Sequence, residues 1–565
     1  MNSKPWIVCA LVAILLLVSA CGQQATPPAP TAAPAAAPAG TPAAAPAKPT
    51  AAPAAQPAPA KPEGTLVVAV SSLYEENFLP HTGSITGQEY RHPLYDTPFY
   101  LKHDTWEPIP GLVTKWELSP DALTWTFTVR QGVKFSNGDD LTAEDIKYTF
   151  DLVMSKESQT PRAPQYRTNI KSVDVVEPYL LKVNLNKPMW GFIEELAQGQ
   201  AAMLGVVSKK YVEKVGLKEA DSKPIASGPY KLVEHKRGEY VKYEAVETHW
   251  RVVPEFKTLI IRAVPEEATR VAMLQTGEAD LAAVGASSAE TIKKAGLTLK
   301  TIPGAYSTFA TMGGPWEQGH PFYKPGVPWA KKEVREALSI AINRDELAEH
   351  VYRGFAKPVG HFLLSPGWKD LKPYAFDPEK ARKLLAQAGY PNGFEVKAMT
   401  WKASPGAELP LLGEAVASYW QKIGVKVNVA PMDFAAILPD IRKGNTAGAI
   451  WFHRLTTYAD YESTLNLTHA TDAGGNFQIW HDDTLPKMLG DLAKITDPKA
   501  REAKMKQIAQ YNYDNYSVVP LTVVDSLFAM SKKVGNWPAL EGGYSINLEY
   551  ITQATPRGTF RLFTP

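Results

Sequence analysis

The residues Thr65-Leu66-Val67-Val68-Ala69-Val70 form a β-branched apolar run, which predicts a buried strand. Thr124 to Val129 instead alternates polar and apolar positions, the period of a half-exposed strand. Gln131-Gly132 then predicts a turn, Val133 to Phe135 a short second strand, and Asn137-Gly138 a tight hairpin-type turn. Thr142-Ala143-Glu144-Asp145 has capping-box character and predicts the opening of a helix over Ile146 to Met154.

Further along, Lys331 to Asn343 places Val334, Leu338 and Ala341 on one helical face. Asp377 to Gly389 reads as a complete helix: Asp377 caps, Pro378 takes the first position, Leu384, Leu385 and Ala388 bury, and Gly389 ends it. Glu395 to Met399 predicts a strand, Leu411 to Ile423 a helix stopped by Gly424, and Val425 to Val429 another strand. A last helix, Lys499 to Asn512, leads into the apolar Val518 to Leu521. Alternation of this kind predicts an α/β chain with a parallel-rich lobe.

Composition adds two segments that cannot join that fold. Trp6 to Val18 is an apolar run behind Lys4, shorter than the roughly 20 residues of a spanning helix, with a small-residue exit at Ser19-Ala20. From Gln23 to Pro62 the chain is mostly Ala and Pro, with Lys48 and Lys61 its only charges. Such a segment favours polyproline II and buries no core. At ~3.1 Å per residue, about 40 residues reach on the order of 120 Å, so it reads as a tether.

The remaining body, from about Glu63 to Pro565, exceeds a single hydrophobic core and predicts two or more lobes. A net charge of +2 argues against nucleic acid as a partner. The two cysteines are Cys9 and Cys21, which leaves the body without a thiol for a disulfide or a nucleophile. The histidines are scattered without metal-ligand spacing, and there is no Walker A loop or GxSxG elbow. No metal, cofactor or catalytic residue is expected. Trp316, Trp368 and Trp537 sit among Gly and Pro, as core fillers or as the lining of a cleft.

Two resemblances follow. Leu17-Val18-Ser19-Ala20-Cys21-Gly22 resembles the lipobox of a bacterial lipoprotein, which implies a signal peptide over residues 1–20, lipidation of Cys21 and an extracytoplasmic, membrane-anchored location; a plain secretory signal with an incidental cysteine, or an uncleaved anchor, is the alternative. Leu123 to Phe150 resembles the signature of the family 5 extracellular solute-binding proteins, the peptide and nickel receptors of ABC importers. Five more blocks stand in family order: Ser227 to Tyr230, Met273 to Asp280, Val334 to Leu338 with Ala341 to Asp345, Asp377 to Gly389, and Ile423 to Val427. Ala226 stands where the family pattern has Thr, and Asn77 to Pro80 replaces a clear Asp-Pro.

The resemblance implies a two-lobed, periplasmic-binding-protein-like α/β fold of class II. Lobe I would comprise residues 63–100, 202–264 and 523–565, with an inserted subdomain over 101–201, and lobe II residues 265–522. It also implies a monomeric, non-enzymatic receptor that takes a small solute, such as a peptide or oligosaccharide, and delivers it to membrane permease subunits. A tethered hydrolase and a tethered adhesion or assembly module are the other classes that the sequence admits.

In peptide-binding members an Ala-Asp-Tyr motif places its aspartate opposite the ligand's amino group, and Tyr458-Ala459-Asp460-Tyr461 matches it. Asp460 is therefore either an ammonium contact or a helix cap. Thr457 stands where that motif has Trp, and the following Pro is missing. Upstream, Trp451-Phe452-His453-Arg454 follows the apolar Ala449-Ile450 and is expected at a strand end, where α/β sheets commonly meet ligand. Trp451 would stack on ligand or pack, and Arg454 would pair with a carboxylate or face solvent. His453, Tyr458 and Asn476, the last within Gly474-Gly475-Asn476-Phe477, complete the candidate ligand set.

Overall fold

The computed structural model describes residues 61–83, 87–102, 107–160, 163–189, 191–197, 204–312, 323–363, 368, 370–401, 408–432, 440, 448–456, 482–495, 497–538 and 547–554. The apolar run Trp6 to Val18, Cys21 and nearly all of the Ala- and Pro-rich segment lie outside that set, as do Tyr458, Asp460 and Asn476. Within the described residues no helix is long and apolar enough to cross a membrane.

The strands in chain order are β1 (Thr65–Val70), β2 (Phe99–Leu101), β3 (Pro108–Pro110), β4 (Val113–Leu118), β5 (Thr124–Val129) and β6 (Ile170–Glu177). Then come β7 (Leu180–Leu185), β8 (Tyr230–Lys236), β9 (Tyr240–Ala245), β10 (Thr258–Ala263), β11 (Leu281–Val284) and β12 (Thr298–Met312). The last are β13 (Ala356–Pro358), β14 (Glu395–Thr400), β15 (Lys426–Pro431), β16 (Ile450–Thr456) and β17 (Val519–Met530). Eleven of them form one mixed sheet in the order β15-β14-β16-β12-β17-β11-β1-β10-β9-β8, with β13 paired to β17.

Two long strands hold this sheet together. β12 and β17 run antiparallel, and their pairing shifts register between Ile302 and Tyr306 and again between Ser307 and Phe309. Gly304 sits in the first irregularity at φ +61, a conformation that costs glycine little, and its N–H donates to Asp525 Oδ1 at 3.0 Å. One arm of the sheet is built on β1, which pairs in parallel with both β10 and β11. The other is built on β14, parallel to β15 and β16.

The sheet as a whole is less parallel than expected, because β16, β13, β11, β9 and β8 all make antiparallel pairs. β11 falls beyond the boundary expected at Pro265. It lies between β1 and β17, and the helix Glu267–Thr276 packs on it, so these residues belong to the arm of β1.

A separate antiparallel sheet, β4-β5-β7-β6, has its own core from Phe99 to Val206, including Phe127, Phe135, Ile146 and Phe150. Here the capping box forms as expected: Thr142 N–H donates to Asp145 Oδ2 at 2.9 Å, and the helix runs Ala143–Met154. The strand expected at Val133 to Phe135 is reduced to one isolated bridge, Lys134 to Asp140, although the turn at Asn137-Gly138 is present. Gly228 shows why a family block needs its glycine, since a Cβ there would stand 2.4 Å from the Leu94 carbonyl.

Asp96 joins this subdomain to the β1 arm. Wholly buried, it accepts from Tyr100 Oη at 2.9 Å and Trp250 Nε1 at 2.7 Å, and meets His249 Nε2 at 3.1 Å and Arg251 at 3.4 Å. Arg251 continues to Glu549 at 3.1 Å, tying in the C-terminal segment.

Candidate functional site

The carboxyl ends of β1, β10 and β11 point one way in the first arm, and those of β14, β15 and β16 point one way in the second. Ligands in open α/β sheets bind beyond such ends. The residues that follow β1, and those at the end of β16 and the head of the helix Leu409–Gln421, meet there.

β16 runs to Thr456, so the stretch from Trp451 to Arg454 is mid-strand and not a strand end as expected. Alternation then separates the candidates. Trp451 and His453 share one face and are 3 % and 2 % exposed. His453 stacks on Phe309 with ring centroids 5.5 Å apart and meets Trp401 edge-on at 4.8 Å. Burial pushes the His453 imidazole down to about 3, so it is neutral. This is a packed aromatic layer beside the seam.

Phe452 and Arg454 share the opposite face. Phe452 stacks on Trp420 of the helix Leu409–Gln421 at 6.0 Å. Arg454, two residues nearer the strand end, places its guanidinium carbon 6.0 Å from the ring of buried Tyr306. Tyr306 is on β12, between the two irregularities of the long strand pair.

Across from Arg454 stands Tyr74, in the loop after β1. Tyr74 and Glu76 both have left-handed backbones, at φ 55 and 56, which is costly for non-glycine residues. Glu76 anchors the loop through His235 at 2.7 Å and the Gly238 N–H at 3.0 Å. Desolvation and the nearby Glu89 carboxylate push the Tyr74 phenol up to about 12, against the opposing field of Arg454, although 37 % of the residue stays exposed. Burial pushes Glu89 itself up to about 7, with Arg270 opposing. A guanidinium from one arm and a carboxylate from the other thus both act on Tyr74.

A carboxylate pair lies at the head of the helix Leu409–Gln421. Glu408 accepts from the Ala286 N–H at 3.3 Å, and Glu267 from the adjoining Gly285 N–H at 3.0 Å. Burial raises the acid of Glu408, and Glu267 adds to the rise. Of the residues expected from sequence, the geometry puts Arg454 at the seam and Trp451 and His453 in the layer beside it. Tyr74, Glu89 and Glu408 were not anticipated; the strand-end rule applied to β1 would have pointed to Tyr74 alone. No group of three or more His, Cys, Asp or Glu side chains suited to a metal ion occurs among the described residues.

The sequence model of the bacterial extracellular solute-binding proteins, family 5 Middle, matches residues 107–476. A glutathione-binding protein of Salmonella paratyphi A is 28% identical over 450 residues, covering 77% of this chain and 85% of its own. The dipeptide-binding protein of Escherichia coli is 26% identical over 455 residues, covering 74% and 81%. Among solved structures, an ABC transporter-associated periplasmic binding protein of Helicobacter pylori, in complex with a peptide, aligns with a TM-score of 0.73 at 23% identity, covering 88% of this chain and 99% of that one. A Campylobacter jejuni protein in complex with Ni(L-His) aligns at 0.72 and 20% identity, covering 87% and 100%.

Proposed function

The chain belongs to the family 5 bacterial extracellular solute-binding proteins, and from that premise we propose that it captures a small zwitterionic solute of peptide type between its two lobes. The observation that carries the reading is that Arg454, over the Tyr306 ring on one arm, and Glu89 on the other both act on Tyr74. A guanidinium takes a carboxylate in bidentate fashion. Glu89, which makes no hydrogen bond or ion pair among the described residues, suits a protonated amine, as does Asp460 if the Ala-Asp-Tyr motif keeps its family role. The relatives above are named for binding glutathione and a dipeptide, both of which carry these groups.

The lobes meet in this reading at β12 and β17, with crossings at Ile302–Tyr306 and Val523–Asp525, where the register shifts fall. A solute touching both lobes then favours the closed form by its differential affinity. Closure in turn is what a membrane permease would sense. Lipidation at Cys21 and the Pro-Ala tether would hold the receptor on the outer face of the membrane, with wild-type chain in the detergent phase and Cys21→Ala in the aqueous phase of a detergent partition.

The test of capture is thermal unfolding of the full chain with di- and tripeptides and glutathione. Binding at 100 times Kd stabilises by about 2.7 kcal/mol, and Arg454→Gln removes the upward shift. A wild-type melting temperature unmoved by every one of these compounds at millimolar concentration contradicts the reading.

A further inference from the structure

Glu408 and Glu267 come from opposite arms and converge on one turn. Glu408 stands just ahead of the helix Leu409–Gln421, which packs on β14, β15 and β16. Glu267 opens the helix Glu267–Thr276, which packs on β11. They accept hydrogen bonds from consecutive backbone N–H groups, Ala286 and Gly285. A Cβ built on Gly285 would lie 3.0 Å from Glu408 Oε1 and 3.3 Å from Glu267 Oε2.

The two carboxylates do not have equal standing. Glu267 is held within its own arm by Gly285, by the Ser288 hydroxyl and by Arg270 at 3.9 Å. Glu408 reaches its Ala286 donor only when the arms are together. Opening would leave Glu267 in place and return Glu408 to water. Closing brings a second carboxylate beside one that is already bound.

We propose that Glu408 is a proton-linked latch between the lobes: closure without solute is favoured when Glu408 is protonated and opposed when it is charged. The inference rests on the reading that the lobes open about β12 and β17, and goes beyond it by giving closure its own control. The titratable and charged groups around Glu408 support this sign. Glu267 opposes its charge, as does the desolvation of the seam; the buried phenols of Tyr306 and Tyr352 lie within its field, and Arg454 on β16, over the Tyr306 ring, is the cation on that side, outweighed in the net rise. Arg270 spends its donors on Glu267 and on the carbonyls of Val264, Pro265 and Ala283. The backbone N–H of Ala286 favours the charged form but is outweighed. A carboxyl whose proton affinity is higher in the closed form stabilises closure at low pH, and that contribution is lost as pH rises upward from the ordinary glutamate range.

The test is hydrogen exchange of the segment Gly285 to Ser288 in the full chain without solute, from pH 5 to pH 8, corrected for intrinsic exchange. Protection in the wild type is expected to fall steadily as pH rises over this range. Glu408→Gln, which keeps the acceptor and removes the charge, is expected to hold protection flat, and Glu408→Ala to lose it at every pH. Equal pH profiles for wild type and Glu408→Gln overturn the latch while leaving the lobe reading intact. Equal protection in wild type and Glu408→Ala overturns the interlobe contact itself. Glu267→Gln supplies a second variant, expected to raise protection at pH 8; unchanged protection there overturns the like-charge argument.

Discussion

The Trp250 indole N–H donates to Asp96 Oδ2 at 2.7 Å, and that carboxylate has no exposed surface. Burial alone would raise its pKa, but His249, Arg251 and Trp250 outweigh it and hold the acid down at about 2. Asp96→Asn leaves Arg251 and His249 buried with less compensation, a change that typically costs about 3 kcal/mol. Urea unfolding at pH 7 is the check. The sign with pH follows from a depressed carboxylate: the contribution is full above the unfolded value near 3.8, and fades as pH falls toward 2.

Acid should weaken the protein well before that range is reached. Burial pushes both His92 and His453 down to about 3, in the former with help from Arg91 and Arg251. Unfolding lets each take a proton below about pH 6.5, so stability falls from there toward pH 3. Between pH 7 and pH 5 the two together are expected to cost about 4 kcal/mol, read from urea midpoints. Replacing His453 by Gln should flatten part of that slope.

Asp377 accepts from the Lys380 N–H at 2.8 Å at the head of the helix Pro378–Gln387. Asp377→Ala removes that acceptor and should cost about 1 kcal/mol in denaturant, while Asp377→Ser restores most of it.

That cap was legible because its physics is local. Asp377-Pro378, the Thr142 and Asp145 box, and the strand Thr65–Val70 are written within a few residues and formed where expected. The passage between arms was not. β12 and β17 pair residues more than 200 positions apart, and only Pro303-Gly304 hints locally at an interruption. β11 joined the first arm for the same reason, through a parallel partner, β1, that no periodicity names. At the site, Arg454 was singled out as a strand end, whereas β16 runs on to Thr456, and alternation turned Trp451 and His453 into the packed layer. Tyr74, Glu89 and Glu408 carry no motif; they matter because two arms bring them opposite one another.

Equilibrium dialysis of the full chain against a mixture of di- and tripeptides and glutathione, with mass spectrometry of both chambers, tests the central claim most directly. The account predicts that a compound carrying both an amine and a carboxylate is retained at one per chain, is recovered chemically unchanged, and is released by Arg454→Gln. Conversion of a compound into products, or retention of none, would contradict it.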